Sequence, residues 1–115
     1  MRYALLLTAL ASVPLAAEPP ANLRATIDGW VQAHQKALVS SLVELLAIPN
    51  IAADRENIRR NAAWLRSRLT TSGFAAEILE TSGNPLVFGD LRVPGATRTI
   101  LFYIHYDGQP VNPKD

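Results

Sequence analysis

Towards its C-terminal end the chain reads "TILFYIHYDGQPVNP", Thr99 to Pro113, and sets an imidazole and a carboxylate two residues apart. In an extended chain, positions two apart lie on the same side. His105 and Asp107 therefore stand side by side if the extended geometry of the residues before them persists. A neutral imidazole binds a metal through one nitrogen while the other donates to a carboxylate, and that second contact fixes the tautomer and the ring orientation. One chemistry open to the pair is therefore metal ligation. The other is structural, a hydrogen-bonded pair that stabilises a turn. Gly108 and Pro110 let the chain bend away and leave either arrangement open to solvent.

Other reactive side chains have weaker settings. His34 lies among Gln32, Gln35 and Lys36, as a solvated histidine on a helix face does. Ser40 and Ser41 fall inside a helical pattern and lack the strand–turn–helix setting of a nucleophile elbow. Arg55, Arg59, Arg60, Arg66 and Arg68 suit a solvated helix face better than an anion site. Trp30 and Trp64 are spaced for helix packing.

The elements that must position the pair follow from periodicity. Ile27, Val31, Leu38, Leu42 and Leu45 keep one face of a first helix apolar, and Pro49 ends it by pushing the preceding residue out of the helical region. After the connector "NIAADRE", Asp54 suits the N-cap of a second helix. Its inward stripe is Ile58, Ala62, Leu65 and Leu69, and Gly73 suits the left-handed position past its end. "FAAEILET" and "PLVFGDLRV" then read as strands around the turn residues Ser82, Gly83 and Asn84, and Pro94 to Ala96 makes a further turn. Ile100 to Ile104 read as a third strand, close enough to the second for a hairpin. That third run is continuously apolar, as expected of a strand covered on both faces by helices. The order predicts an α/β fold with the His/Asp pair at the C-terminal end of a strand, where open α/β sheets bind ligands. A strand covered on both faces needs neighbours and a second helical layer. The chain therefore reads as the N-terminal piece, residues 18–115, of a larger catalytic domain.

Composition narrows the class. The 115 residues allow one domain at most, and 49% hydrophobic residues suit a globular chain. Eleven Lys and Arg against ten Asp and Glu leave a net charge of +1, with no basic field to attract nucleic acid. Residues 1–17, "MRYALLLTALASVPLAA", read as a signal peptide: Arg2 gives the positive start, Tyr3 to Leu15 the apolar core, and Ala17 a small residue at the cut. The apolar run is too short for a stable membrane span, so the expectation is an exported protein, periplasmic or secreted. With no cysteine this segment offers no disulfide and no lipidated cysteine after the leader, and stability is expected from the core and any bound metal.

The segment "ILFYIHYDGQPVNP" resembles the first metal-binding segment of the zinc-dependent exopeptidases that include aminoacylase, carnosinase and succinyl-diaminopimelate desuccinylase. Members of that family carry His-x-Asp at the end of a central strand, often followed by Gln-Pro-Val. "SSLVELLAIPNIA" is similar to the family's first helix and its Ile-Pro exit, "NIRRNAAWLRSRLTTSGF" to its second helix, and "NPLVFGDL" to the strand before the metal strand. Gly108 stands where many relatives have Val. The resemblance covers roughly Ile27 to Pro113 and implies a mixed sheet flanked by helices, with a smaller inserted domain through which a homodimer forms. It implies a pair of zinc ions, His105 as a metal ligand, and Asp107 as the catalytic-site carboxylate that orients it. Further ligands and the general base would come from later in the chain. The activity implied is metal-assisted hydrolysis of amide bonds in small peptides or N-acylated amino acids. Two other classes stay open on the residues alone: a non-catalytic binding module in which the pair stabilises a turn, and a serine hydrolase whose Gly-x-Ser-x-Gly elbow would follow later.

Overall fold

The structure is a computed structural model and describes residues 21–110. The expected leader over residues 1–17 and the last residues of the motif, Val111 to Pro113, lie outside the described residues. Two helices and a two-stranded antiparallel sheet follow one another: α1 Ala21–Leu46, α2 Arg55–Thr71, β1 Ala75–Leu79 and β2 Leu86–Asp90. The expected α/β class is present in this coarse form. Helix α1 runs through two compact units, one closing at Gln35 and the next opening at Lys36.

Helix α1 forms as its spacing predicts, and ends where Ala47 N–H donates to Val43 O at 3.0 Å and Ile48 N–H to Leu45 O at 3.1 Å before Pro49. Its apolar stripe is not buried, however. Ile27, Val31, Leu38 and Leu42 are all exposed, and of residues 22–46 only Ser41 and Leu45 are partly shielded. Periodicity sets which face a helix can bury, whereas burial itself requires a second surface. Val39, Val43 and Leu46 further dilute the stripe with apolar residues off its line.

Helix α2 is the centre of the second unit. Asp54 caps it, accepting from Asn57 N–H at 3.2 Å and from Asn57 Nδ2 at 2.7 Å. At the other end Phe74 N–H reaches Leu69 O and Gly73 N–H reaches Thr70 O, both at 3.0 Å, with Gly73 at φ +90°. This is the Schellman closure, which needs a residue free to enter the left-handed region. Ile58 and Ala62 are fully buried, and Leu65 and Leu69 are half-buried on the same stripe. The sequence stripe omits Asn61, which is also fully buried. Its Nδ2 donates to Pro49 O and to Asn57 O, each at 2.8 Å, so it ties the connector to the helix.

The hairpin lies across α2. β1 and β2 pair from Ala75↔Asp90 to Leu79↔Leu86, and the half-buried residues Ala76, Ile78, Val87 and Gly89 share the face towards α2. Gly89 packs closely there: a Cβ would lie 3.1 Å from Leu69 Cδ1, so that side chain would have to give way. The turn between the strands is held by Thr81, whose hydroxyl accepts from Gly83 N–H at 2.9 Å and donates to Asn84 O at 2.8 Å.

The third run departs from expectation. The hairpin joins the first and second strands, not the second and third, and Ile100 to Ile104 form no strand. These five residues are 76–83% exposed. The turn at Val93–Ala96 does form, with Gly95 at φ +77° and Ala96 N–H on Val93 O at 3.1 Å, and it carries the chain away from β2. Continuous apolar sequence suits a strand covered on both faces, but a strand exists only by hydrogen bonding to a neighbour.

Candidate metal-ligand pair at residues 105–108

Chain alternation resumes directly after the exposed run. His105 and Asp107 are on the outer side, with side chains 71% and 36% exposed, while Tyr106 and Gly108 are half-buried. Both inner residues are anchored. The Tyr106 hydroxyl donates to Pro85 O at 2.5 Å, and Pro85 is buried. Gly108 N–H donates to Asn50 O at 2.7 Å, and Gly108 forms an isolated parallel bridge with Ile51. The connector between the helices receives the Gly108 tie and two more: Asn61 bonds Pro49 O, Gly108 bonds Asn50 O, and Asn84 Nδ2 donates to Ala52 O at 2.8 Å.

On this base the sequence-predicted pair is brought together. His105 Nδ1 lies 3.0 Å from Asp107 Oδ1. A carboxylate only accepts, so Nδ1 carries the proton and, in the neutral ring, Nε2 keeps its lone pair. Tyr103 lies on the same side one alternate step earlier, its hydroxyl 3.3 Å from Nε2 and its ring edge-on to the imidazole at 5.4 Å. The hydrogen bond from His105, with a further one from the Asp107 backbone N–H, holds the Asp107 carboxyl below its ordinary range. Burial and then the Asp107 charge push the Tyr106 phenol above its usual value. A recess of about 180 Å³ opens beside the pair, lined by Ile58, Pro85, Tyr106 and Asp107 among others.

The donor set fits one corner of a zinc site, an imidazole with a free lone pair backed by a carboxylate. A zinc site takes at least three protein ligands. Among the described residues no group of three or more His, Asp or Glu gathers.

Three polar residues of this arrangement escape a motif reading. Tyr103 is reachable by the same period of two that pairs His105 with Asp107. Asn50 acts through its backbone carbonyl and Tyr106 through its hydroxyl on Pro85 O, and neither carries a spacing signal. The discounted candidates are placed elsewhere. His34 is exposed and stacked on Trp30 at 4.1 Å, with Nδ1 donating to Trp30 O at 2.7 Å. Ser41 accepts from Arg68 Nη2 at 2.8 Å, Arg60 donates to Asn57 Oδ1 at 2.7 Å, and Arg59 forms a two-pronged pair with Glu80 at 2.8 Å. Those arginines are thus spread over separate partners. Among the described residues no helix is long and apolar enough to cross a membrane.

Compared with known proteins, the chain matches no family model, no curated sequence and no solved structure.

Proposed function

We propose that the chain is the N-terminal part of an exported zinc metallopeptidase or amidohydrolase that cleaves amide bonds in small peptides or N-acylated amino acids. The observation that carries this reading is the 3.0 Å contact between His105 Nδ1 and Asp107 Oδ1, which leaves Nε2 as the ligating atom. The resemblance of the surrounding segment to zinc exopeptidases supports it. On this reading His105 holds the metal, Asp107 fixes the tautomer and the ring, and the remaining ligands and general base come from later in the chain. Zinc bound there would act as a Lewis acid and lower the pKa of a water towards neutrality. Tyr103, with its hydroxyl at Nε2, holds the ring's free nitrogen in the metal-free state and must give way when the metal is taken.

The test uses the protein captured from its source, with its intact mass, zinc content and hydrolysis of dipeptides and N-acyl amino acids measured together. A mass well above 12.5 kDa, bound zinc and chelator-sensitive hydrolysis are expected. His105→Ala should remove most of the metal and activity, and Asp107→Asn should cost about 10–100-fold in either. A zinc-free protein, or full activity in His105→Ala, would overturn the reading and leave the pair as a turn-stabilising contact.

A further inference from the structure

We infer that Gly108 and Tyr106 are positioning residues, which seat the His105–Asp107 pair from beneath by docking on Asn50 and Pro85; the inference rests on the reading of His105 as a zinc ligand. The two inner residues alternate with the two outer ones, so each outer side chain is flanked by an anchored neighbour. Tyr106 fixes the chain between His105 and Asp107 through the Pro85 carbonyl. Gly108 fixes the far side of Asp107 through a short bond to Asn50 O.

The approach at Gly108 leaves no room for a side chain while the Asn50 amide keeps its place. A Cβ there would stand 2.6 Å from Asn50 Oδ1 and 3.2 Å from Asn50 Cγ. Real Cβ atoms do not tolerate the shorter contact. A side chain must therefore turn the Asn50 amide aside or lift residue 108 off the connector. Lifting it moves Asp107, the next residue, and with it the hydrogen bond that sets the imidazole. Asn50 and Gly108 thus form a matched pair, in which the residue at 50 decides what residue 108 tolerates.

The experiment compares Gly108→Val, the double variant Asn50→Ala/Gly108→Val, and Tyr106→Phe in the full protein, after far-UV circular dichroism has shown each folded. Where Val prevents folding, Gly108→Ala carries the same comparison. Zinc affinity is read by chelator competition. The His105 tautomer in the metal-free protein is read from imidazole nitrogen shifts by NMR. Gly108→Val should lower zinc affinity about 10–100-fold, as loss of orienting contacts around ligands does. It should also turn a single Nδ1–H tautomer into a mixture. The double variant should recover the wild-type tautomer and most of the affinity, and Tyr106→Phe should show a weaker form of the same defect. If the Asn50 amide merely turns aside, Gly108→Val will keep the wild-type tautomer and affinity, and the inference falls. It falls equally if the double variant does not recover. A protein that binds no zinc yet shows the tautomer change and its rescue would overturn the enzyme reading and leave the positioning role standing.

Discussion

Ile100–Ile104 and His105–Gly108 are consecutive in the chain and end in opposite states. The first stretch has the more hydrophobic sequence and is almost fully exposed, whereas the second carries an imidazole and a carboxylate and is docked on the body. Apolar character is evidently not what docks a segment here. What separates the two is specific backbone partners. Residues 105–108 meet two carbonyls, Asn50 O and Pro85 O, whose neighbours Pro49, Ala52 and Asn84 are themselves hydrogen-bonded. Residues 100–104 belong to no strand or helix and make no backbone ladder with one among the described residues. Hydrophobic burial is non-directional and needs only a surface, while a ladder or latch needs partners in register.

The sharpest way to break this contrast is to truncate one isoleucine from each side of it. Ile58→Ala, in the core beneath the recess, should cost about 2–5 kcal/mol of stability by urea unfolding, the usual cost of such a buried truncation. Ile104→Ala, 79% exposed, should stay within about 0.5 kcal/mol. Comparable losses at both positions would mean that the 100–104 run is covered in the protein as it works.

Asn61→Ala probes the polar side of the same contrast. It removes the donor to Pro49 O and Asn57 O and should cost about 1–3 kcal/mol. It should also loosen the connector on which Gly108 docks, visible as faster amide exchange at Gly108. Unchanged exchange there would separate the α2 tie from the latch.

The smallest effect expected is a pH dependence. Hydrogen bonds from the Asn57 side chain, and then its backbone N–H, hold the Asp54 carboxyl below its ordinary value of 3.8. A carboxyl depressed in the folded state contributes stability above its unfolded pKa and loses that contribution as pH falls through the folded one. Stability should therefore decline on acidification below about pH 4, and Asp54→Ala should flatten part of that decline. Glu80, lowered by its hydrogen bond from Arg59, adds a slope of the same sign. An Asp54→Ala profile parallel to wild type would show that the cap adds nothing to the acid sensitivity.

Much of the second unit was legible in the sequence because its signals are local. Asp54, Gly73 and the 58–62–65–69 stripe act within a few residues, and each is where its chemistry requires. The His105–Asp107 contact was legible for the same reason, since a period of two needs nothing beyond an extended chain. What was not legible depends on residues far away. The hairpin partner of β2 is β1 and not the apolar run that follows, because strand pairing is decided by register and turn chemistry, here the Thr81 bonds, rather than by apolar content. Asn61 lies outside the apolar stripe, and its burial makes sense only with Pro49 O found opposite it. Gly108 reads as a turn residue until Asn50 is found against it.

The latch between Asn50 and Gly108 joins two points separated by the whole of α2 and the β1–β2 hairpin. A contact of that span closes a long loop, and the entropy lost in closing it is recovered only once the intervening elements are in place. The His105–Asp107 pair is thus local in sequence and global in origin. Its two side chains can touch in any extended peptide, but their address in space is set when the second unit finishes folding.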